Sequence, residues 1–299
     1  MKYLVISPVK DEERYVEHTL RSMAAQTIKP VRWIIVDDGS NDHTPDLILN
    51  YQKNLDFIQL VTRPKGRPRQ PGSAVIQAFN LGLEAAREFD YDFIVKLDCD
   101  LSFDAFYFEK LLQKFQMDPM LGIASGIYME AADGKAWTEI AMPSYHAAGA
   151  SKVVRRKCFH DICGFVAARG WDTVDEIRAM ARGWRTGHFG ELKMKHWKLE
   201  GKGIGPLRTS LMHGEIYYLT GGSKWFFALK VFHRLTRHPV LMGGVALAWG
   251  YTRAWFNQKK RLVTRNEARV YRALLQSRLT ERLRRFYKRP EASGLGSVL

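Results

Sequence analysis

The chain has 299 residues, 46% of them hydrophobic and 12% aromatic, with 46 Lys and Arg against 31 Asp and Glu. That apolar content excludes a disordered segment, and the length suits one α/β domain or one domain with an appendage. Cys99, Cys158 and Cys163 form no CxxC pair, which argues against a zinc ribbon or a disulfide framework and fits a reducing compartment, the cytosol by default. The net charge of +15 is uneven. Thirteen Lys and Arg against Glu267 and Glu281 fall between residues 253 and 289, a local net of +11 that leaves +4 for the rest. A basic tail on a nearly balanced body points to a polyanion near the C-terminus, either nucleic acid or an acidic membrane face.

The N-terminal apolar run from Tyr3 to Ser7 is followed at once by Pro8, Lys10 and Asp11, so it reads as a first strand and not as a signal peptide. Further strands are expected over Arg32 to Asp37, Phe57 to Thr62, Tyr91 to Leu97 and Leu121 to Tyr128. Between the first two, Val16, Leu20 and Met23 recur at helical spacing behind an acidic turn. A second helix is expected to start with Thr44 as N-cap and Pro45 at the first helical position, and a third carries Val75, Phe79, Leu83 and Ala86 on one face. This alternation is the signature of βαβ units, and the fold class is α/β with a doubly wound, mainly parallel sheet.

From Ala131 to Ala150 the pattern loosens into a candidate lid or acceptor loop. It recovers into a helix from about Val174 to Trp184 and an alternating stretch from Phe189 to Trp197. Two apolar helices between Trp225 and Phe256 are separated by Pro239, and the first sets Trp225, Leu229 and Phe232 on one side with Lys230, Arg234 and Arg237 on another. That is the layout of an interfacial helix. The stretch from Val240 to Tyr251 is short of the about 20 residues that a spanning helix needs, so no transmembrane helix is expected.

Ligands of a doubly wound sheet bind beyond the carboxyl ends of its strands. Acidic residues occupy three such ends: Asp11, Glu12 and Glu13 after the first strand, Asp37 and Asp38 after the second, Asp98 and Asp100 after the fourth. None carries a dinucleotide or P-loop glycine pattern, which disfavours a nicotinamide enzyme or a P-loop kinase. Two carboxylates two residues apart at the end of an apolar strand suit Mg²⁺ or Mn²⁺, which prefer oxygen ligands and keep water and substrate phosphate in their shell. The alternative is that Asp98 and Asp100 merely end a strand. Lys65, Arg67 and Arg69 either grip a diphosphate or belong to a solvated loop.

Taken together and in order, Ser7-Pro8-Val9-Lys10-Asp11-Glu12-Glu13, Val36-Asp37-Asp38-Gly39-Ser40 and Lys96-Leu97-Asp98-Cys99-Asp100 resemble the nucleotide-binding half of family 2 inverting glycosyltransferases with the GT-A fold. The resemblance implies that the loop at Pro8 and Val9, with Asp11, Glu12, Asp37 and Asp38, approaches the base and ribose of a nucleotide-sugar. It implies that Asp98 faces the ribose and sugar and that Asp100 holds the metal. Downstream, Gly164-Phe165, Gly170 to Glu176 and Gly183-Trp184 resemble the acceptor side of the family, where an acidic residue opens a helix. The usual Glu-Asp pair is replaced by Val174-Asp175 followed by Glu176, so the base is expected at Asp175, then Glu176, with Asp172 third. His196 falls where relatives can carry a histidine-rich segment, and it is a candidate second metal ligand. The signature and the membrane spans of processive polysaccharide synthases are absent.

The resemblance divides the chain into a nucleotide-sugar-binding half over 1–128, an acceptor-binding half over 129–222 and a basic, apolar helical extension over 223–299. It implies metal-dependent, inverting transfer from a nucleotide-diphosphate sugar to a glycan or lipid-linked acceptor in cell-surface polysaccharide synthesis. The chain is expected in the cytoplasm, peripheral on an anionic membrane face, with no nucleic acid as partner. A sugar-phosphate nucleotidylyltransferase would want a glycine-rich, arginine-containing loop after the first strand, which Ser7 to Glu13 is not. A non-enzymatic nucleic-acid-binding protein using the basic tail would have no use for an intact DxD and an acceptor-side acid.

Overall fold

The computed structural model describes residues 1–64, 73–131, 136–198, 205–237 and 239–287, with side chains as far as 281. The loop holding Lys65, Arg67 and Arg69 lies outside the described residues, as do Lys288 and Arg289. The chain divides into two compact units, Met1–Gly205 and Pro206–Leu299.

In the first unit β1 (Tyr3–Val9), α1 (Val16–Ala24), β2 (Arg32–Asp37), α2 (Thr44–Gln52), β3 (Ile58–Thr62), α3 (Ser73–Ala85) and β4 (Phe93–Leu97) follow the expected alternation. Then come β5 (Leu101–Phe103), α4 (Tyr107–Met117), β6 (Leu121–Glu130), β7 (Thr138–Glu139), β8 (Ser151–Arg155), α5 (Arg156–Asp161), α6 (Trp171–Ala181) and β9 (Arg185–His196). The sheet runs β3-β2-β1-β4-β8-β6-β9-β5, with β7 paired to β6. β1, β2, β3 and β4 are mutually parallel, and so is the pair β6 and β9. β8 runs antiparallel between β4 and β6.

The central strands read as unbroken apolar runs because both their faces are covered. Alternate residues serve opposite layers. Tyr3, Val5, Trp33 and Ile35 pack with Val16, Leu20, Met23, Ile48 and Phe108 on the side of α1, α2 and α4. Leu4, Ile6, Ile34 and Val36 pack with Ile76, Phe79, Phe159 and Trp171 on the side of α3, α5 and α6.

Three expectations need correction. β8 was not foreseen, because Ser151 and Lys152 interrupt its apolar run although both are fully buried. Thr44 is the first residue of α2, and His43 precedes it as N-cap. The Thr44 hydroxyl instead accepts the Glu12 N–H at 2.9 Å and donates to Asp42 at 2.6 Å, so it ties two loops together. α6 begins three residues early, at Trp171, because Gly170 adopts the left-handed conformation (φ 78°) that turns the chain into the helix.

The second unit contains α7 (Pro206–Leu219), α8 (Lys224–Leu235), α9 (Met242–Phe256) and α10 (Arg265–Tyr287). α7 and α9 cross at two glycines. A Cβ on Gly214 would lie 2.0 Å from the Leu247 carbonyl oxygen, and one on Gly250 1.9 Å from that of Leu211, so only glycine permits this approach. At the head of α10 the Thr264 N–H donates to Glu267 at 2.8 Å and the Glu267 N–H to the Thr264 hydroxyl at 3.3 Å, a reciprocal cap. Among the described residues no helix is long and apolar enough to cross a membrane.

Candidate active site

The carboxyl ends of β1, β2 and β4 open into a cleft of about 250 Å³. It is lined by Pro8, Val9, Glu12, Asp38, Asp98 and Asp100, with Ala74, Val75 and Ala78 of α3 and with Lys198. Of the expected nucleotide-binding set, Asp37 and Asp11 are absent from the lining. Asp37 is buried and accepts both the Ser40 hydroxyl, at 2.5 Å, and the Ser40 N–H, so it builds the turn that presents Asp38. Asp11 is exposed, with φ 51°, and accepts the Asn41 N–H at 2.8 Å while its own N–H donates to Ser40. Both tie together the loops after β1 and β2, and neither is among the residues that line the cleft. Asp38 is held by Arg63 at 2.8 Å, and Glu12 by Lys198 at 2.5 Å. Neither cation was singled out from sequence, because each lies far along the chain from its partner.

At the end of β4, Lys96 donates to Asp98 at 2.5 Å and stays buried under the ring of Trp171. Asp100 faces the side chain at the end of β9: its Oδ2 lies 3.3 Å from His196 Nε2, while His196 Nδ1 lies 3.0 Å from Glu130. Burial by itself disfavours the imidazolium, but hydrogen bonds and charge from Asp100, Glu130 and Asp98 outweigh it and raise the His196 pKa to about 9. The other Asp100 oxygen, Oδ1, is buried without a hydrogen-bond partner. An orphaned carboxylate oxygen fits a hard divalent cation, and the imidazole beside it can join as a ligand once it gives up the proton that its carboxylate neighbours favour. Among the described residues no group of three or more His, Cys, Asp or Glu is arranged to hold a metal ion unaided. A cation at Asp100 and His196 would therefore complete its shell with water and substrate phosphate.

A second cleft adjoins the first and shares Lys96, Asp98 and Trp171 with it. Its other walls are Tyr128, the loop residues Ile140 to Pro143, His146, Gly149, Ala150, His196 and Asp172. The loosely patterned segment after β6 thus forms one side of it. The expected base, Asp175, does not reach this space: it is 1% exposed, and Glu176 is 0% exposed. Both meet Lys152, whose ammonium lies 3.1 Å from Asp175 and 3.3 Å from Glu176. Burial pushes the Asp175 pKa up, against the pull of Lys152. Of the three α6 acids, Asp172, third in the sequence ranking, lines the cleft: it is half-buried in the first turn, whereas Asp175 and Glu176, one turn on along the same side, are buried against Lys152. A pattern of acids along one helix face does not by itself tell which turn is buried.

The family model described as Glycosyl transferase family 2 matches residues 4–170 of the chain. A poly-beta-1,6-N-acetyl-D-glucosamine synthase of Staphylococcus aureus is 31% identical over 118 residues, which is 39% of this chain and 26% of that protein. The chain thus aligns with about a quarter of that relative's length. Among solved structures, the mannosyltransferase PcManGT from Pyrobaculum calidifontis in complex with GDP-Man and Mn²⁺ superposes with a TM-score of 0.55 at 16% identity, covering 96% of this chain and 82% of that one. A TarS structure from S. aureus in complex with UDP-GlcNAc gives 0.53 at 15% identity, covering 91% and 78%. These likenesses establish the GT-A type of α/β fold.

Proposed function

The chain belongs to glycosyl transferase family 2, and on that premise we propose that it transfers a sugar, with inversion, from a nucleotide-diphosphate sugar to an acceptor hydroxyl. The observation that carries this reading is the pair of adjoining clefts, with Asp100 and His196 near their junction and Asp172 on the acceptor side. Pro8, Val9 and Asp38 would hold base and ribose, and Asp98 the ribose and the sugar. The loop with Arg69 is proposed to reach the diphosphate. Asp100 and His196 would hold Mn²⁺ or Mg²⁺, which when bound neutralises charge on the departing diphosphate. Mn²⁺ is present in the PcManGT complex.

Inverting transfer is a single displacement at the anomeric carbon, so a carboxylate must take the acceptor proton on the face opposite the leaving group. We assign that role to Asp172, on its exposure to the acceptor cleft, and we assign Asp175 and Glu176 to its support. Nucleoside diphosphate release, screened over UDP- and GDP-sugars with and without Mn²⁺, tests the reading. Turnover of one donor, dependent on the metal, is expected, and its absence across the panel contradicts the reading.

We further propose that the acceptor is a lipid-linked glycan met at the cytoplasmic face of an anionic membrane. The support lies on the second unit. Trp225 is 85% exposed and Phe232 70%, on one side of α8 with Leu229, and Met242, Val245 and Trp249 are exposed along α9. Lys224, Arg253 and Lys260 are exposed on the same elements and just after them, as is Lys259, which pairs with Glu215. Exposed aromatic side chains among cations suit the boundary of an anionic bilayer, where each cation contributes about 1 kcal/mol. The whole chain should pellet with phosphatidylglycerol vesicles at low salt and leave them at high salt. Equal binding to neutral vesicles contradicts the electrostatic part, and a stable dimer that ignores vesicles assigns the face to a second copy.

A further inference from the structure

A cluster of charged groups lies buried behind the acceptor cleft. Lys152 of β8 is fully buried, and its ammonium donates to the Asp172 carbonyl oxygen at 2.8 Å, to both oxygens of Asp175 at 3.1 Å and to Glu176 Oε1 at 3.3 Å. Burial pushes the Asp175 carboxyl group toward its neutral form, so the charges that pair directly here are the Lys152 ammonium and the Glu176 carboxylate. The group that completes the cluster is His146: its Nδ1 lies 3.0 Å from Glu176 Oε2, while Glu176 Oε1 accepts the Ala147 N–H at 2.8 Å. The His146 carbonyl oxygen lies 2.8 Å from His188 Nδ1 of β9, which fixes the same loop from the other side. The His146 side chain remains 21% exposed, and it lines the acceptor cleft together with Asp172.

We propose that Glu176 holds His146 as an imidazolium whose Nε2–H is the acceptor-side hydrogen-bond donor, so that His146 orients the attacking oxygen while Asp172 takes its proton. The inference rests on the acceptor cleft assigned above. Lys152 and Glu176 act through His146 and the first turn of α6, and are positioning residues. The charged groups that face the imidazole are Glu176 and Asp172 from α6 and Lys152 from β8, with Lys96, Asp98 and His196 on the shared cleft wall. Burial disfavours its charge, and Lys152 does too, but Glu176 and Asp172 outweigh both and raise its pKa. The donating form is therefore present at lower pH and is lost as pH rises through the raised value. Neutral His146 would instead turn a lone pair toward the cleft.

Long-range ¹H–¹⁵N spectra of the histidine rings in the whole protein, with His146 identified by its loss in His146→Gln, read the charge directly. Both ring nitrogens of His146 should be protonated at pH 7, and in Glu176→Gln the titration should fall by about one pH unit or more. A neutral ring at pH 7 in the wild type, or an unmoved titration in folded Glu176→Gln, overturns the proposal. With water as the acceptor probe, donor hydrolysis by His146→Gln should drop about tenfold in kcat with the donor KM within about twofold. The alkaline limb of the wild-type profile should move to lower pH in Glu176→Gln. Hydrolysis by His146→Gln at the wild-type rate across pH also overturns it. Because the ring spectra need no turnover, a failure of the glycosyltransfer reading and a failure of this inference are told apart.

Discussion

The two units of the chain turn opposite properties toward water. In Met1–Gly205 the large apolar side chains are largely inside and several charges are inside with them: Lys96, Lys152, Asp37, Asp175 and Glu176 are all buried. Each of those charges has an opposite charge or a polar group against it. In Pro206–Leu299 aromatic and aliphatic side chains of α8 and α9 are outside, among cations. Buried ion pairs add little net stability, because desolvation offsets their attraction, so their density around two clefts speaks for geometry held for a reaction. Exposed tryptophans and phenylalanines cost solubility, so their alignment along two helices speaks for a surface that is covered in use.

The comparison breaks first at Asp100. Asp100→Ala should weaken Mn²⁺-dependent binding of a nucleoside diphosphate by about 100-fold or more without unfolding the chain, since it removes a cation ligand and no core packing. Calorimetric titration reads this, and unchanged affinity removes Asp100 from the site. Next comes Asp175→Asn, which leaves Lys152 partly unpaired in the interior. Breaking one partner of a buried pair costs about 3 kcal/mol or more, so the melting temperature of the first unit should fall by about 10 °C. A variant as stable as the wild type would mean that Lys152 does not depend on that carboxylate.

On the second unit, replacing Trp225, Phe232 and Trp249 together by Ser should lower partitioning into anionic vesicles about tenfold at fixed salt and leave the fold intact, because all three are exposed. Retained partitioning would reduce the attachment to charge alone. The smallest effect is expected for Ser40→Ala, which strips Asp37 of one hydroxyl donor. A loss of about 1.5 kcal/mol is expected from denaturant unfolding, the low end for one hydrogen bond to a charged group because the Ser40 N–H still donates to Asp37. A loss near zero would show that the backbone N–H of Ser40 suffices to hold the turn.

Much of the first unit is legible in its sequence because its central strands are covered on both faces and so appear as continuous apolar runs. β1, β2 and β4 emerge in this way, and the turn Asp37 to Ser40 and the DxD at Asp98 and Asp100 are then placed at their carboxyl ends. What stayed hidden depends on pairing across long sequence distances. β8 carries a lysine where an apolar residue is expected, and only the two carboxylates of α6 make that lysine tolerable. The same pairing hid the acceptor-side acid. Asp172, Asp175 and Glu176 are equivalent as letters, and Lys152 decides which of them faces inward. Arg63 and Lys198 meet their acidic partners only through the fold. In the second unit, the apolar and cationic sides of α8 are readable by helical spacing, whereas α7 is not, because Gly214, which seats it against α9, looks like a helix breaker.

The most direct test of the proposed chemistry is a paired kinetic measurement on Asp172→Asn and Asp175→Asn, using the nucleotide-sugar that the wild type turns over. Asp172→Asn should lower kcat by about 100-fold or more while donor affinity, measured separately by calorimetry, stays within about twofold, as expected when a general base is lost. Asp175→Asn should retain a larger share of kcat at a temperature where it is folded. If Asp172→Asn turns over at the wild-type rate and Asp175→Asn does not, the base is the buried acid and the acceptor side of the site has been assigned to the wrong turn of α6.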